Sequence, residues 1–320
     1  MDTYISIVLN GASMMVGEMD ANGNILRLKR YQVNSFSQEA LLDLILSSLE
    51  DYRFHEGYVG TPCAIGVGLI GRVDGERGIW HQIDPARTQP IDVVHRVEAA
   101  EGLPCFIDND VKASVRAVQR WGFGKTSQNL IYLYVGTGIA ASIIVRGRQI
   151  RGCHFNAGEV GHMRVGVSVG VKCPCGRTDC VETIASSMGI DSCARLLRNQ
   201  YDTRLPIPGD DECVSVEEVF RLSREGDPLC VKLVENAVEA LADLIMSLVR
   251  VSDPDIVVLG GEMVADGFLL EKIRQRLHDV TVRFLTNGVV ITKLNPRFIC
   301  LLGAGALAID GMEELLSEKL

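Results

Sequence analysis

The chain opens with short apolar runs separated by turn residues. Residues 4–9 and 13–19 are apolar runs, and Asn10-Gly11-Ala12 lies between them. A second turn at residues 20–23 leads to a third run that ends near Val33. Apolar runs of this length, bounded by such turns, predict strands joined as hairpins. We therefore expect a three-stranded meander at the N-terminus.

Residues 37–121 alternate between segments with helical apolar spacing and short apolar runs. Ser37 can cap the first helix. The apolar face of that helix comprises Leu41, Leu42, Ile45 and Leu49. The elements predicted next are a strand at 63–69, a helix at 91–100, a strand at 104–107 and a helix from Asp108 to about Trp121. Alternation of this kind indicates α/β layers.

The order of the N-terminal meander then occurs a second time. Residues 130–135, Gly136-Thr137-Gly138, residues 139–145, a turn at Gly147 and residues 149–151 repeat the order strand, glycine turn, strand, turn, strand. The later predicted elements are helices from about Thr183, Ser215, Asp227, Phe268 and Gly303, and strands at 255–259 and 289–294. A duplicated meander followed by alternating elements implies an α/β fold of two lobes.

The repeat also divides the chain. We predict an N-terminal α/β lobe at 1–121 and a C-terminal α/β lobe at 122–302. Residues 303–320 are expected to form a C-terminal helix that packs back on the N-terminal lobe. Ligands of such folds bind at strand ends and helix N-termini, so the predicted site is the cleft between the lobes.

Composition restricts the class of protein. The 320 residues are 47% hydrophobic and 23% charged, with a formal net charge of -9. An acidic chain is not expected to bind nucleic acid, which requires a basic face. The start shows no signal peptide, and no apolar run approaches the roughly 18 residues of a membrane span. A cytoplasmic location is therefore expected, and ten cysteines fit a reducing compartment.

One histidine and three cysteines have the spacing of a metal site. His162, Cys173, Cys175 and Cys180 follow the pattern H-x10-C-x-C-x4-C. One imidazole and three thiolates satisfy a tetrahedral zinc ion and leave no open position for a catalytic water. We interpret residues 158–182 as a zinc knuckle with a structural role. The alternative is a set of ordinary buried thiols beside an unrelated histidine.

Two carboxylates adjoin these candidate ligands. Glu159 lies three residues before His162, and Glu182 lies two residues after Cys180. Folding the zinc knuckle would bring both carboxylates to one place. That place is the candidate substrate pocket.

Several motifs together resemble the ROK family of sugar kinases and sugar-responsive repressors. They are Gly158-Glu159-Val160-Gly161-His162, Cys173-Pro174-Cys175-Gly176, Cys180-Val181-Glu182, Asn109-Asp110, Gly136-Thr137-Gly138 and Leu259-Gly260-Gly261. The resemblance covers essentially the whole chain. It implies an actin-like ATPase (ribonuclease H-like) fold, often dimeric, with sugar and ATP bound in the interlobe cleft.

The resemblance assigns roles to individual residues. Asp110 would be the general base that accepts the proton of the sugar hydroxyl. The residues implied to hold sugar hydroxyls are Asn109, Glu159, His162 and Glu182. Phosphoryl transfer requires a carboxylate near the attacking hydroxyl, and Asp110 lies at a strand-to-helix junction. Its alternative role is that of a helix N-cap, which is usual for aspartate at such a junction.

Three glycine segments match the nucleotide side of the family. They are Gly11, Gly136-Thr137-Gly138 and Gly260-Gly261. Glycine backbone amides can approach a phosphate closely. The alternatives are a hairpin turn at residues 136–138 and a strand-to-helix turn at residues 260–261. ATP and magnesium are expected cofactors if the chain is a kinase.

The first phosphate loop departs from the family's enzymes. Val8 stands where they carry an aspartate that positions magnesium, and Ser13 ends a run that in them ends in lysine. Valine cannot ligate a cation, and serine brings no positive charge to a phosphate. Glu262 stands where a third glycine is usual.

Three functions follow from this pattern. The first is an ATP-dependent hexose or N-acetylhexosamine kinase with an eroded first phosphate loop. The second is a non-catalytic sugar sensor. The third is a repressor-type effector domain, because residues 182–186 resemble the run after the knuckle in the family's repressors. Those repressors carry a helix-turn-helix before the first strand. Because the first strand begins here by Tyr4, we expect no DNA contact. A sugar is the expected ligand, and a homodimer is the expected assembly.

Overall fold

A computed structural model describes residues 1–10, 13–84, 87–209 and 212–318. The chain divides into two compact units. The first unit comprises Met1–Lys125, Arg151–Ala157 and Arg297–Leu320, and the second comprises Thr126–Ile150 and Gly158–Pro296. Each unit is described by itself.

Strands and helices are numbered in chain order. The strands are β1 (Asp2–Asn10), β2 (Ser13–Met19), β3 (Ile25–Gln32), β4 (Thr61–Leu69), β5 (Arg72–Asp74), β6 (Ile79–Gln82), β7 (Ile91–Asp92), β8 (Cys105–Asn109), β9 (Leu130–Val135), β10 (Ile139–Val145), β11 (Arg148–Gln149), β12 (Ile256–Gly260) and β13 (Val289–Ile291). The helices are α1 (Gln38–Asp51), α2 (Val93–Glu101), α3 (Asp110–Trp121), α4 (Glu182–Ala185), α5 (Ser187–Leu197), α6 (Val216–Arg224), α7 (Pro228–Ser252), α8 (Phe268–Arg276), α9 (Asp279–Val282) and α10 (Ile299–Ser317).

The first unit is built on a five-stranded sheet in the order β3-β2-β1-β4-β8. Strands β1, β2 and β3 form the expected antiparallel meander, and β4 and β8 extend the sheet in parallel. Ile5 and Ile7 of the central strand β1 are fully buried in the core of this unit. The predicted apolar face of α1 is confirmed, because all four of its residues are fully buried.

Helix α10 packs tightly on this sheet and on α3. Its Gly303 lies so close to α3 that an added Cβ atom would be 2.5 Å from the backbone of Ala113 and Ser114. A Cβ on Gly66 of β4 would overlap the backbone of Ala304. The helix begins at Ile299, not at Gly303 as predicted. The glycines are therefore interior helical residues that permit close packing of backbone on backbone.

We expect Gly303→Ala to destabilise the protein by about 2–3 kcal/mol, measured by urea unfolding. In an exposed helix the same change would stabilise by roughly 1 kcal/mol. Here the clash is with backbone atoms, which cannot move aside as a flexible side chain can. Gly209→Ala is the matched control, because an added Cβ there meets no atom within 4 Å. Equal stability of the two variants would contradict the packing argument.

The second unit repeats the sheet design. Its strand order is β11-β10-β9-β12-β13, with an antiparallel meander followed by two parallel strands. The internal repeat predicted from the sequence is thus confirmed in the topology of the two sheets. The long helix α7 buries most of its apolar residues in the core of this unit. Asp227 is its N-cap and Pro228 its first residue, as their spacing predicts.

Some elements differ from the prediction. Residues 91–92 are a strand of a small sheet, in the order β5-β6-β7, that was not predicted. The helix expected from about Thr183 is two helices, α4 and α5, because Ser186 is extended and caps α5. Among the described helices, none combines the length and hydropathy that a membrane-spanning segment requires.

Candidate functional site

The four residues with metal-site spacing lie together in the second unit. The candidate ligand atoms of His162, Cys173, Cys175 and Cys180 are all within 4.8 Å of one another. Nδ1 of His162 lies 3.3 Å from Sγ of Cys173, and Sγ of Cys175 lies 3.6 Å from Sγ of Cys180. Ligands on a tetrahedral zinc ion with Zn–S bonds of about 2.3 Å are roughly 3.8 Å apart. The donor set and its spacing therefore fit zinc.

Local backbone geometry holds this cluster. Gly170 and Gly176 have φ values of 94° and 89°, which L side chains rarely adopt. Gly161 has a different reason to be glycine, because an added Cβ would overlap the carbonyl oxygen of Ile139. Backbone bridges join Arg164 to Cys180 and Lys172 to Thr178. These contacts close the segment between the histidine and the cysteines.

Asp179 is a structural residue of the knuckle that sequence analysis missed. Its buried carboxylate accepts hydrogen bonds from Ser168 Oγ at 2.8 Å and from the backbone N–H groups of residues 169–171 at 2.7–3.1 Å. Burial alone would raise the pKa of Asp179, but these hydrogen bonds lower it below the usual value. Residue spacing does not predict this role, because residues 168–171 become adjacent to Asp179 only when the knuckle folds.

One of the thiols is also prepared for metal binding. The backbone N–H of Arg177, followed by the neighbouring Cys173, lowers the pKa of the Cys175 thiol to about 6. This environment favours the thiolate form of Cys175, and the thiolate is the form that ligates zinc.

Glu182 lies at the junction of the knuckle and the second glycine turn. Its Oε2 accepts a hydrogen bond from the backbone N–H of Ile139 at 2.8 Å. A Cβ added to Gly138 would lie 2.8 Å from this oxygen, and one added to Gly161 would lie 3.1 Å from Cβ of Glu182. The structure thus brings Glu182, the Gly161 segment and the glycine turn together. Glu159 is exposed at the start of the same segment.

The described glycines of the predicted nucleotide side, which lie at 136, 138, 260 and 261, are closely packed within the second unit. A Cβ on Gly136 would overlap the hydroxyl of Tyr134 and lie 2.6 Å from Oε2 of Glu262. A Cβ on Gly260 would overlap the ring of Tyr132. Gly261 has a φ of 97° and lies against the carbonyl of Val135. Packing therefore accounts for glycine at position 261, where the neighbour is backbone, whether or not a nucleotide binds.

In the first unit, Asn109 and Asp110 start helix α3. Asn109 is the N-cap, since its Oδ1 accepts from the N–H groups of Val111 and Lys112 at 3.1 and 3.2 Å. Its Nδ2 donates to the carbonyl of Gly71 at 3.1 Å. Asp110 is the first helical residue, so the N-cap role considered for it belongs to Asn109. Oδ1 of Asp110 also accepts a hydrogen bond from the N–H of Val111, at 2.9 Å.

Asp108, the residue before Asn109 and Asp110, forms a buried ion pair that sequence analysis missed. Asp108 is fully buried and bonds Arg151 through both carboxylate oxygens, at 3.1 and 2.7 Å. Asp108 Oδ1 also accepts from the N–H of Asn109 at 2.9 Å. Lys112 donates to the carbonyl of Phe155. These contacts fix residues 151–157 to the start of α3.

The first phosphate loop does not fit a magnesium ion held at position 8. Val8 is fully buried in an apolar cluster with Met15 and Leu301. Gly11, which was predicted to contact nucleotide, lies outside the described residues. We derive no catalytic step from a metal ion here, because Val8 offers no ligand atom.

Comparison with known proteins decides the family. The sequence profile of the ROK family matches residues 4–310. The chain belongs to the ROK family. Among ROK proteins, it is 27% identical over 298 residues to the DNA-binding transcriptional dual regulator NagC of Escherichia coli, covering 92% of this chain and 72% of the regulator. It is 29% identical over 286 residues to a glucokinase of Streptomyces coelicolor, covering 86% of this chain and 87% of that enzyme.

A solved ROK structure establishes the fold class. The ROK hexokinase of Thermus thermophilus superposes with a TM-score of 0.73 at 26% identity, covering 98% of this chain and 99% of that chain. The protein therefore has the mixed-sheet α/β fold of the ROK sugar kinases, which belongs to the actin-like ATPase superfamily. Both kinases and repressors of the family are similar to this chain over most of its length.

Proposed function

We propose that this protein binds a hexose or an N-acetylhexosamine and transfers a phosphoryl group to it from ATP. The observation that carries the proposal is the position of Asp110, the first residue of α3, in a chain that is 29% identical to a glucokinase. In this role Asp110 accepts the proton of the attacking sugar hydroxyl. Asn109, Glu159, His162 and Glu182 are the proposed ligands of the sugar hydroxyls.

The zinc ion is proposed as a structural part of this site. His162, Cys173, Cys175 and Cys180 would hold it and fill its tetrahedral coordination, so it supplies folding free energy and no activated water. Nδ1 of His162 faces the sulfur atoms. The Nε2 atom is then the proposed contact to sugar, and zinc fixes the orientation of the ring.

A sugar sensor without catalysis is the second candidate. The observation in its favour is Val8, which is fully buried among apolar residues where the family's kinases position magnesium. The similarity to NagC over 92% of this chain supports the same candidate, in the form of a regulator's effector domain. A sensor binds its sugar without a requirement for ATP.

The substitution Asp110→Asn tests the choice between a kinase and a sugar sensor. If the protein is a kinase, ADP release over a panel of hexoses and N-acetylhexosamines falls about a hundredfold in this variant, because the hydroxyl proton loses its acceptor. Sugar affinity, measured by calorimetry, changes little. Asp92→Asn is the matched control, since Asp92 caps α2 in the same unit through the N–H of His95 at 2.9 Å.

The outcomes separate the candidates. Turnover in the original protein that is lost in Asp110→Asn and kept in Asp92→Asn supports the kinase. Sugar binding with no turnover above the Asp110→Asn background supports the sensor. Absence of binding to every sugar of the panel would reject both.

A further inference from the structure

The turn Gly136-Thr137-Gly138, which the family resemblance assigns to phosphate, lies beside two acidic side chains. Backbone N–H groups in glycine turns can cradle a phosphate, because no Cβ atoms keep the anion away. In this turn, the N–H of Gly136 bonds the carbonyl of Gly138 at 3.0 Å. Directly after the turn, the backbone N–H of Ile139 donates to the Glu182 carboxylate at 2.8 Å.

Glu262 brings a second carboxylate to the other end of the same turn. An added Cβ on Gly136 would lie 2.6 Å from Oε2 of Glu262. The hydroxyl of Tyr134 donates to that oxygen at 3.3 Å. Glu262 begins the short helical turn Glu262–Val264, directly after Gly261. The short helical turn that starts at Glu262 therefore places an acidic side chain beside Gly136.

The two carboxylates differ in how far the fold depends on them. Glu182 starts α4, and its Oε2 bonds the backbone of β10. Glu262 is exposed, and its carboxylate accepts a hydrogen bond from the Tyr134 hydroxyl. Glu262 can therefore be neutralised with less risk to the fold than Glu182. Its effect on a ligand at the turn is chiefly that of its charge.

We propose that Glu262 is a specificity-determining residue that weakens the binding of polyphosphate-bearing ligands at the Gly136-Thr137-Gly138 turn. The inference rests on the proposed function, which requires ATP, and on the family resemblance, which places the ATP phosphates at this turn. Like charges a few ångströms apart repel, and a triphosphate carries several negative charges. A neutral ligand such as a sugar is not subject to this repulsion. The residue thus favours sugar binding over nucleotide binding in this protein.

Glu262→Gln tests the proposal, since glutamine keeps the shape and the hydrogen bond to Tyr134 but removes the charge. The probes are ATP with magnesium, and adenosine alone, each titrated by calorimetry. We expect ATP to bind Glu262→Gln about tenfold more tightly than the original protein. Adenosine affinity stays unchanged. Because Glu262 is exposed, the gain shrinks when the salt concentration rises from about 0.05 M to about 0.5 M.

Glu235→Gln provides the matched control, because Glu235 is an exposed glutamate on α7 of the same unit and its replacement changes the net charge equally. Its ATP affinity is expected to equal that of the original protein. Unchanged ATP affinity in Glu262→Gln, or an equal gain in Glu235→Gln or for adenosine, would overturn the proposal. A separate hexose titration of the original protein tests the proposed sugar binding, so failure of one inference is distinguishable from failure of the other.

Discussion

Cys180→Ser is expected to abolish stoichiometric zinc binding and to lower the thermal stability of the second unit. Cys180 is fully buried, and its sulfur lies 3.6 Å from that of Cys175. Structural zinc sites in small domains contribute about 10–16 kcal/mol of apparent binding free energy. The second unit also has a large apolar core, so the whole unit does not depend on zinc for folding. The knuckle should lose its order around the missing ion, whereas its Val160, Val167 and Val181 belong to the core and should stay packed.

The consequence for sugar binding follows from chain connectivity. Glu182 lies two residues after Cys180, and His162 is both a proposed zinc ligand and a proposed sugar contact. Loss of the metal therefore displaces two proposed sugar ligands at once. We expect sugar affinity to fall at least tenfold, because each lost hydrogen bond in a desolvated site contributes about 1 kcal/mol or more.

The measurement is zinc content by atomic absorption, together with thermal unfolding and a hexose titration. Cys193→Ser is the control, since Cys193 is equally buried in the second unit but lies outside the four-residue cluster. This control should keep its zinc and its sugar affinity. The zinc hypothesis would be wrong if the original protein contained no zinc or if Cys180→Ser retained it.

The sequence predicts strands and helices well where neighbouring residues alone determine them. Strands β9 and β10 occupy the predicted residues 130–135 and 139–145, because each is an apolar run with a glycine turn between them. The start of α10 was predicted at Gly303, four residues after its observed start at Ile299. The actual use of Gly303, contact with the α3 backbone at Ala113, depends on a partner distant in sequence. Such a partner leaves no periodic signal.

The same distinction applies to the candidate site. The metal cluster is predictable because His162 and the three cysteines lie within a short segment, and ligand chemistry limits the choice of metal. Asp179 and Glu262 were not assigned their contacts. Both carboxylates contact groups that become adjacent only through folding, and acidic residues are too common for their presence alone to indicate a role.

Arg151 is the least expected of these residues. It lies near the end of the repeated meander, in a segment predicted to be a strand, and it is part of the first unit. Its partner Asp108 was predicted as part of a helix start. In the structure Asp108 is the last but one residue of strand β8, which ends at the N-cap Asn109. Only the tertiary fold shows that a fully buried carboxylate requires a cation at this position.

Arg151→Met is therefore expected to destabilise the first unit by about 3–5 kcal/mol, measured by urea unfolding. The variant leaves the Asp108 carboxylate buried without its cation, and that uncompensated charge is the main cost. Because Oδ1 of Asp108 also accepts from the N–H of Asn109, the start of α3 should shift and sugar affinity should fall. Arg116→Met is the control. Its partner Asp310 is 32% exposed and keeps a second bond to Arg120, so the expected loss is below about 1 kcal/mol.

The double variant Asp108→Asn with Arg151→Met separates the cost of a buried charge from the loss of packing. Asparagine has nearly the same shape as aspartate and needs no counterion. If the cost arises from the unpaired carboxylate, the double variant is more stable than Arg151→Met alone, and the two substitutions are strongly non-additive. If the loss of unfolding free energy in the double variant equals the sum of the losses in the two single variants, the ion pair is not what holds residues 151–157. The hydrogen bond from Lys112 to the carbonyl of Phe155 would then be the principal attachment of this segment.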